Sequence, residues 1–392
     1  MKVLFFTYDF PYPTNSGGKT RAYNLLKFAA FDIDITLFSF IRDSFKMKNI
    51  ENIKALGIKN IKLFKRRKLK DPRNILAFFD PGASIFRRLY FTKDVVLDLE
   101  KTVKKEKIDI IHFESFYTGF YMSSALKKTG ARIVFGTENI ESKIYYDYAK
   151  HMSTVFLKPL YFWEALKIKK EEESFFKFAD SNIAVSQEEA DYIKKKSANQ
   201  CFVVENGIDL NFFKFKNKSY KKNKEILFVG NFSYFPNVEG ACNFYENVFK
   251  NIKDKNIFFT VIGNKSTELS FAKCDRIKTF EYIEDVREAY YNADVFVFPV
   301  RFGGGTNFKI LEAMSCGTPV VGFCDRAKSI NAEDGKDILF VEDSNEFKNK
   351  ILELLGDTNL RMKISENARA FVQSKYSWIT IGNKLNKIWK NI

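Results

Sequence analysis

The 392-residue sequence predicts an α/β protein of two domains, each a parallel sheet covered by helices. Three observations carry that expectation. Short apolar runs alternate with longer amphipathic stretches along the chain, the pattern of repeated β-α-β units. The alternation occurs twice, once from Val3 and again from Glu225. Between the two runs lies Phe213-Lys214-Phe215-Lys216-Asn217-Lys218-Ser219-Tyr220-Lys221-Lys222-Asn223-Lys224, polar and basic with few apolar anchors, which reads as a linker between residues 1–213 and 225–376. A chain of this length is also long for one domain.

Taken in order, the first half opens with a strand from Val3 to Tyr8, a turn-rich loop (Pro11, Pro13, Asn15, Ser16, Gly17, Gly18) and a helix from Lys19 to Ala30. Strands follow at 33–40, 108–113, 132–136, 181–185 and 201–204, and their carboxyl ends are expected to line one crevice. The second half places strands at 225–230, 258–263, 276–280, 293–300 and 320–323, and ends in helices, the last over 377–390.

The net charge of +16 points to anionic partners such as phosphates, anionic lipid or nucleic acid. Nucleic acid is set aside, because no module motif occurs and the phenylalanines follow strand and helix patterns instead of a basic face. Five cysteines, an odd number in apolar stretches, read as reduced thiols, and His112 and His151 are too few for a zinc site. No apolar run approaches the roughly 20 residues of a membrane span. The segment Met1 to Asp9 is charged too soon for a signal peptide, so a cytoplasmic protein is expected. Lys59, Lys62, Lys65, Arg66, Arg67, Lys68, Lys70 and Arg73 interleave with Ile61, Leu63, Phe64 and Leu69. That run reads either as a solvated basic loop or as a contact with an anionic membrane surface.

Residues 293–323 are the most informative. Val295 to Val300 reads as a buried strand, Gly303, Gly304 and Gly305 as a loop without side chains, and Thr306 as the cap of a helix that Gly317 ends. A helix start behind a glycine loop is an anion site. Lys309 and Glu312 are three apart and share a helix face. The cation nearer the loop suits a pyrophosphate, and the carboxylate one turn deeper suits a ribose hydroxyl. A plain turn with a surface lysine and glutamate fits the same residues.

This block resembles the nucleotide-sugar signature of glycosyltransferase family 4, retaining enzymes of the GT-B fold, whose usual form is Glu-x7-Glu followed by Ala-Met-x-x-Gly-x-Pro-Val-Val. Glu312, Ala313, Met314, Gly317, Pro319, Val320 and Val321 match, whereas Gly304 stands where the first glutamate belongs. Asn206-Gly207-Ile208-Asp209 matches the family's Asn-Gly-Val-Asp turn. The resemblance implies two Rossmann-like domains facing each other across a cleft, with residues 377–392 packing back on the first. It also implies donor contacts from Gly17 and Gly18, a site role for His112 at its strand end, base contacts near Tyr282, and an acceptor-facing segment carrying Asn139 and Glu141. A capped helix start explains Asn139 nearly as well. After Gly230 the family pattern has an arginine, and a lysine five residues beyond it. Here those positions hold Asn231 and Pro236, so Arg301 and Lys309 are the expected substitutes for pyrophosphate.

The resulting expectation is a metal-independent, retaining transferase. It would take a nucleotide-sugar as substrate, use no cofactor, and glycosylate a polysaccharide or lipid-linked glycan, with His112, Lys309 and Glu312 as its catalytic set. Asp32-Ile33-Asp34 imitates a metal motif but precedes a strand far from the glycine loop. A sugar-nucleotide epimerase or hydrolase on the same fold, or a non-catalytic partner protein, remain alternatives.

Overall fold

A computed structural model describes residues 1–30, 32–67, 80–152, 154–218, 223–302, 308–327 and 330–392. The chain divides into two compact units, residues 1–206 with 378–392, and residues 207–377.

The first unit is built on seven parallel strands in the order β3-β2-β1-β4-β5-β6-β7. These are β1 (Lys2–Thr7), β2 (Asp34–Ile41), β3 (Asn60–Lys65), β4 (Ile110–Glu114), β5 (Arg132–Gly136), β6 (Ser181–Ala184) and β7 (Gln200–Val203). Strands buried on both faces read as continuous apolar runs, and β1 and β4 do so. Side chains alternate across the sheet, so Leu4, Phe6, Ile111 and Phe113 enter one core while Val3, Phe5 and Ile110 enter the other. The second core is closed by helix Gly17–Ala29 and the final helix Trp378–Asn391. These two helices touch closely, because a Cβ on Gly382 would stand 2.4 Å from that of Phe28, and Asn386 donates to the Ala29 carbonyl at 2.8 Å. The strand order reverses between β1 and β4, which opens a crevice beyond their carboxyl ends.

Strand β3 corrects one reading. The basic-apolar interleaving from Asn60 to Lys65 is the two-residue period of an edge strand, where charge blocks unwanted pairing. Lys62 is held by Asp98 at 2.5 Å, Arg66 donates to the Tyr90 hydroxyl at 3.1 Å, and Arg67 donates to the Arg88 carbonyl at 3.1 Å. Lys62, Arg66 and Arg67 thus have partners within the fold, while Lys59, Lys65 and Arg67 remain exposed. Lys68, Lys70 and Arg73 lie outside the described residues.

The second unit holds six parallel strands in the order β10-β9-β8-β11-β12-β13. They are β8 (Lys224–Val229), β9 (Ile257–Ile262), β10 (Ile277–Phe280), β11 (Val295–Phe298), β12 (Val320–Phe323) and β13 (Leu339–Val341). The unit begins at Gly207, ahead of the expected linker. Ile208 donates to the Tyr376 carbonyl at 2.7 Å, Phe213 is buried in this core, and the Lys218 ammonium donates to Tyr290 O and Thr318 Oγ1, each at 2.8 Å. Residues 207–218 are therefore pinned to the second unit, and 219–222 lie outside the described residues.

Candidate functional site

In the second unit the candidate site gathers at the carboxyl ends of β8, β9 and β11. Gly263 has φ +136, and a Cβ there would stand 1.7 Å from the Gly230 carbonyl oxygen, so only glycine lets the two loops approach. Asn231 is exposed and its Oδ1 accepts from the Ser233 N–H at 3.0 Å, shaping the turn into helix Phe235–Asn247. Pro236 lies in the first turn of that helix, where its missing N–H leaves no bond unmade. Both positions build the turn without supplying charge.

Helix Phe308–Ser315 buries Ile310, Leu311, Ala313 and Met314, which leaves Lys309 and Glu312 together on the other face. The Glu312 carboxylate accepts from the Tyr290 hydroxyl at 2.7 Å. Burial raises its pKa, opposed by that bond and by the charge of Lys309. Burial lowers the Lys309 pKa, opposed by Glu312. Lys309 makes no hydrogen bond or ion pair among the described residues. A desolvated ammonium at the start of a helix, with its neighbouring carboxylate already engaged, is a donor awaiting an anion.

Arg301 donates to the Glu342 carbonyl at 2.7 Å, and its guanidinium lies 3.6 Å from the Phe323 ring centroid. Tyr282 is 80% exposed, open to stacking. Gly303, Gly304, Gly305 and Thr306 lie outside the described residues.

In the first unit, Gly17 and Gly18 form the first turn of their helix instead of the loop before it. Gly18 is tightly placed: a Cβ there would stand 2.4 Å from the Tyr8 hydroxyl and 2.5 and 2.6 Å from the two Glu138 carboxyl oxygens. Glu138 follows the carboxyl end of β5, and its Oε1 is a buried atom without a hydrogen-bond partner among the described residues. Burial, with the nearby charge of Glu114, pushes its pKa up to about 8. At neutral pH this carboxyl holds a proton and can donate a hydrogen bond. The resemblance implied Asn139 and Glu141 in this segment and did not single out Glu138. The available signal was its place just past a central strand of a doubly wound sheet.

The two neighbours named from sequence are placed as follows. Glu141 accepts from the Tyr117 hydroxyl at 2.5 Å. Asn139 is not the cap of helix Glu141–His151, whose preceding residue is Ile140. The cap comes from Glu172, which accepts from the Glu141 N–H at 2.7 Å and the Ser142 hydroxyl at 2.6 Å.

His112 also differs from expectation. It is fully buried, the Trp389 indole N–H donates to its Nδ1 at 3.1 Å, and Nε2 therefore carries the hydrogen and donates to Glu114 at 2.7 Å. Both ring nitrogens are used, so none is left for a sugar. Glu114 also pairs with the buried Arg21 at 2.7 Å. Burial opposes its ionisation, but Arg21 and His112 together hold its pKa below the usual range. Arg21 in turn donates to Val204 O and Asn206 Oδ1, each at 3.0 Å. A Cβ on Gly136 would stand 2.5 Å from Glu114 Oε2 and 2.8 Å from His112 Nε2, so a glycine is needed beside this network.

Comparison with known proteins fits this arrangement. Residues 17–212 match the family model described as Glycosyltransferase Family 4, and residues 223–357 match that described as Glycosyl transferases group 1. The chain belongs to glycosyltransferase family 4. The match to an uncharacterized glycosyltransferase of Methanocaldococcus jannaschii is 23% identical and covers 55% of this chain and 60% of that one. The match to the capsular polysaccharide biosynthesis glycosyltransferase CapM of Staphylococcus aureus is 29% identical and covers 47% of this chain and 52% of CapM. These alignments thus span little more than half of those relatives. An uncharacterized 44.6 kDa protein in the cps region of Klebsiella pneumoniae is 22% identical with 96% of both chains covered. Among solved structures, sucrose-phosphate synthase from Thermosynechococcus elongatus superposes with a TM-score of 0.72 at 15% identity, covering 99% of this chain and 98% of that one. Anabaena HepE in complex with UDP superposes with a TM-score of 0.68 at 15% identity over the whole of both chains. The fold is GT-B, with two Rossmann-like domains.

Proposed function

We propose that this family 4 member is a retaining glycosyltransferase, independent of metal ions. It moves a sugar from a nucleotide-sugar donor to a polysaccharide or lipid-linked glycan in cell-surface glycan biosynthesis. The observation that carries the reading is Lys309, desolvated and without an ion-pair partner among the described residues, beside a Glu312 held by Tyr290. Cleavage of the sugar–phosphate bond leaves charge on the nucleotide's terminal phosphate, which Lys309 and the helix start stabilise. A charge-assisted hydrogen bond contributes about 1.5–3 kcal/mol, against about 0.3–1 kcal/mol for a helix dipole. The lysine therefore dominates. Glu312, fixed by Tyr290, accepts from a ribose hydroxyl, and Tyr282 stacks on the base. In the first unit the protonated Glu138 beside Gly18 and Tyr8 donates to a sugar hydroxyl, a role that replaces the one first expected of His112.

The capsular role named for CapM and the UDP bound to HepE support this reading. Titration calorimetry with UDP, GDP, ADP and CMP tests it. One nucleotide should bind, and incubating the matching nucleotide-sugars with undecaprenyl-linked glycans should release that nucleotide only when acceptor is present. Binding of none overturns the proposal. Nucleotide release without acceptor favours a hydrolase.

A further inference from the structure

The first unit also carries a helical hairpin that the proposed function does not use. Helix Glu141–His151 and helix Lys158–Phe178 form an antiparallel hairpin, turning through a short 3-10 segment at Val155–Leu157. Its base is fixed by the Glu172 cap and by Tyr145 against Phe86, with ring centroids 5.2 Å apart. Its flanks are ordered by ring pairs, Tyr146 with Phe162 at 5.1 Å and Tyr148 with Tyr161 at 5.3 Å. Yet the turn presents apolar surface to solvent. Val155 is 70% and Phe156 81% exposed, and Tyr146, Tyr148, Trp163 and Leu166 are exposed behind them.

We propose that this hairpin inserts its Val155–Phe156 turn into the interface of an anionic lipid bilayer. Val155 and Phe156 sit at the turn, Lys150 and Lys158 flank it to meet lipid phosphates, and Tyr146, Tyr148 and Trp163 follow farther along the two helices. The Lys158 ammonium donates to the Lys150 carbonyl at 3.1 Å, which holds its charge beside the turn. An apolar tip flanked by Lys150 and Lys158 complements an anionic, penetrable surface. Lys158 lies fourteen residues ahead of Glu172 on the same helix, so about 20 Å of helix separates the tip from the Glu172 cap at residues 141 and 142. The basic run from Lys59, expected to be either a solvated loop or a membrane contact, forms edge strand β3 over Asn60–Lys65.

The inference does not rest on the transfer reading, and its test separates the two. Of the three tryptophans, Trp378 and Trp389 are buried and Trp163 is exposed, so Trp163 reports on the hairpin. The full chain is mixed with vesicles of phosphatidylcholine alone or with phosphatidylglycerol, including brominated lipid. The emission should shift to the blue and be quenched on phosphatidylglycerol vesicles, and both effects should vanish in Trp163→Phe. The double variant Val155→Ser/Phe156→Ser should lose about tenfold or more in vesicle partition. Lys150→Gln/Lys158→Gln should lose a similar factor on anionic vesicles only. Nucleotide titration and thermal melting of the same variants should match wild type. Failure of wild type to bind phosphatidylglycerol vesicles, or equal binding by Val155→Ser/Phe156→Ser, overturns the proposal. So does a wild-type dimer in sedimentation that the same variant dissociates, since a second copy would then cover the tip.

Discussion

Replacing Lys309 separates phosphate recognition from every other contribution to the second unit. Burial lowers the lysine's pKa, so the folded state holds this proton less tightly than the unfolded chain does. Below the folded pKa the charge therefore costs stability, and removing it at pH 7 should leave the melting temperature unchanged or raise it. Lys309→Met keeps the apolar stem, and Lys309→Ala removes it as well. If the ammonium meets a pyrophosphate, either variant loses a charge-assisted contact of about 1.5–3 kcal/mol, a roughly ten- to hundredfold loss in affinity for the nucleoside diphosphate. The free nucleoside should bind all three proteins alike, and the monophosphate should fall between. Calorimetry with the three ligands, alongside circular dichroism melts, gives the complete comparison. Equal losses on nucleoside, monophosphate and diphosphate, with the fold intact, would show that Lys309 does not contact phosphate and that the donor is wrongly placed.

Three further outcomes are expected. Gly17→Ala, which meets nothing within 4 Å, should stabilise by about 0.4–1 kcal/mol, whereas Gly18→Ala, driven into Tyr8 and Glu138, should destabilise by about 1–3 kcal/mol; urea titrations of the pair decide this. Because the Glu138 pKa is raised to about 8, its stabilising effect is present below the usual carboxylate range and is lost as pH rises towards 8. Glu138→Gln should therefore melt above wild type at pH 8.5 and level with it at pH 4, and matched melting curves at both pH values would refute the assignment. Transfer should persist in excess EDTA, and activity lost to chelator and restored by magnesium or manganese would count against the metal-independent mechanism.

The fold was largely legible because it is written in local pattern. Strand β5 falls over the expected residues 132–136, and β1, β2 and β8 are displaced by only one residue. The misses have physical causes. Strand β13 has three residues, too few for a periodic signal, and β3 was hidden because edge charges look like a basic loop. The candidate site was half legible. Lys309 and Glu312 share a face by helical spacing alone, but Tyr290, which holds Glu312, comes from a different helix. His112 was correctly placed on β4, yet its side chain faces Trp389, 277 residues away, which no local pattern announces. The cap of helix Glu141–His151 was missed for the same reason, since Glu172 lies on the neighbouring helix.

Each unit leaves a group unsatisfied, and on the proposed reading the two suit different chemical groups of a sugar nucleotide. In the second unit Lys309 makes no hydrogen bond or ion pair among the described residues, and the carboxylate of the nearby Glu312 accepts from Tyr290. In the first unit the buried Arg21 binds Glu114 through Nε and Val204 and Asn206 through Nη1, while its Nη2 has no hydrogen-bond partner among the described residues, and Glu138 lies beside the helix start at Gly18. A fixed anion there would repel phosphate, but burial and Glu114 keep Glu138 protonated at neutral pH, so the group presented is a neutral donor. Neutral donors suit hydroxyls, and unpaired ammonium groups suit phosphates. On the proposed reading Lys309 takes the role of the cations absent at Asn231 and Pro236, which leaves the turn after β8 free to be built for shape.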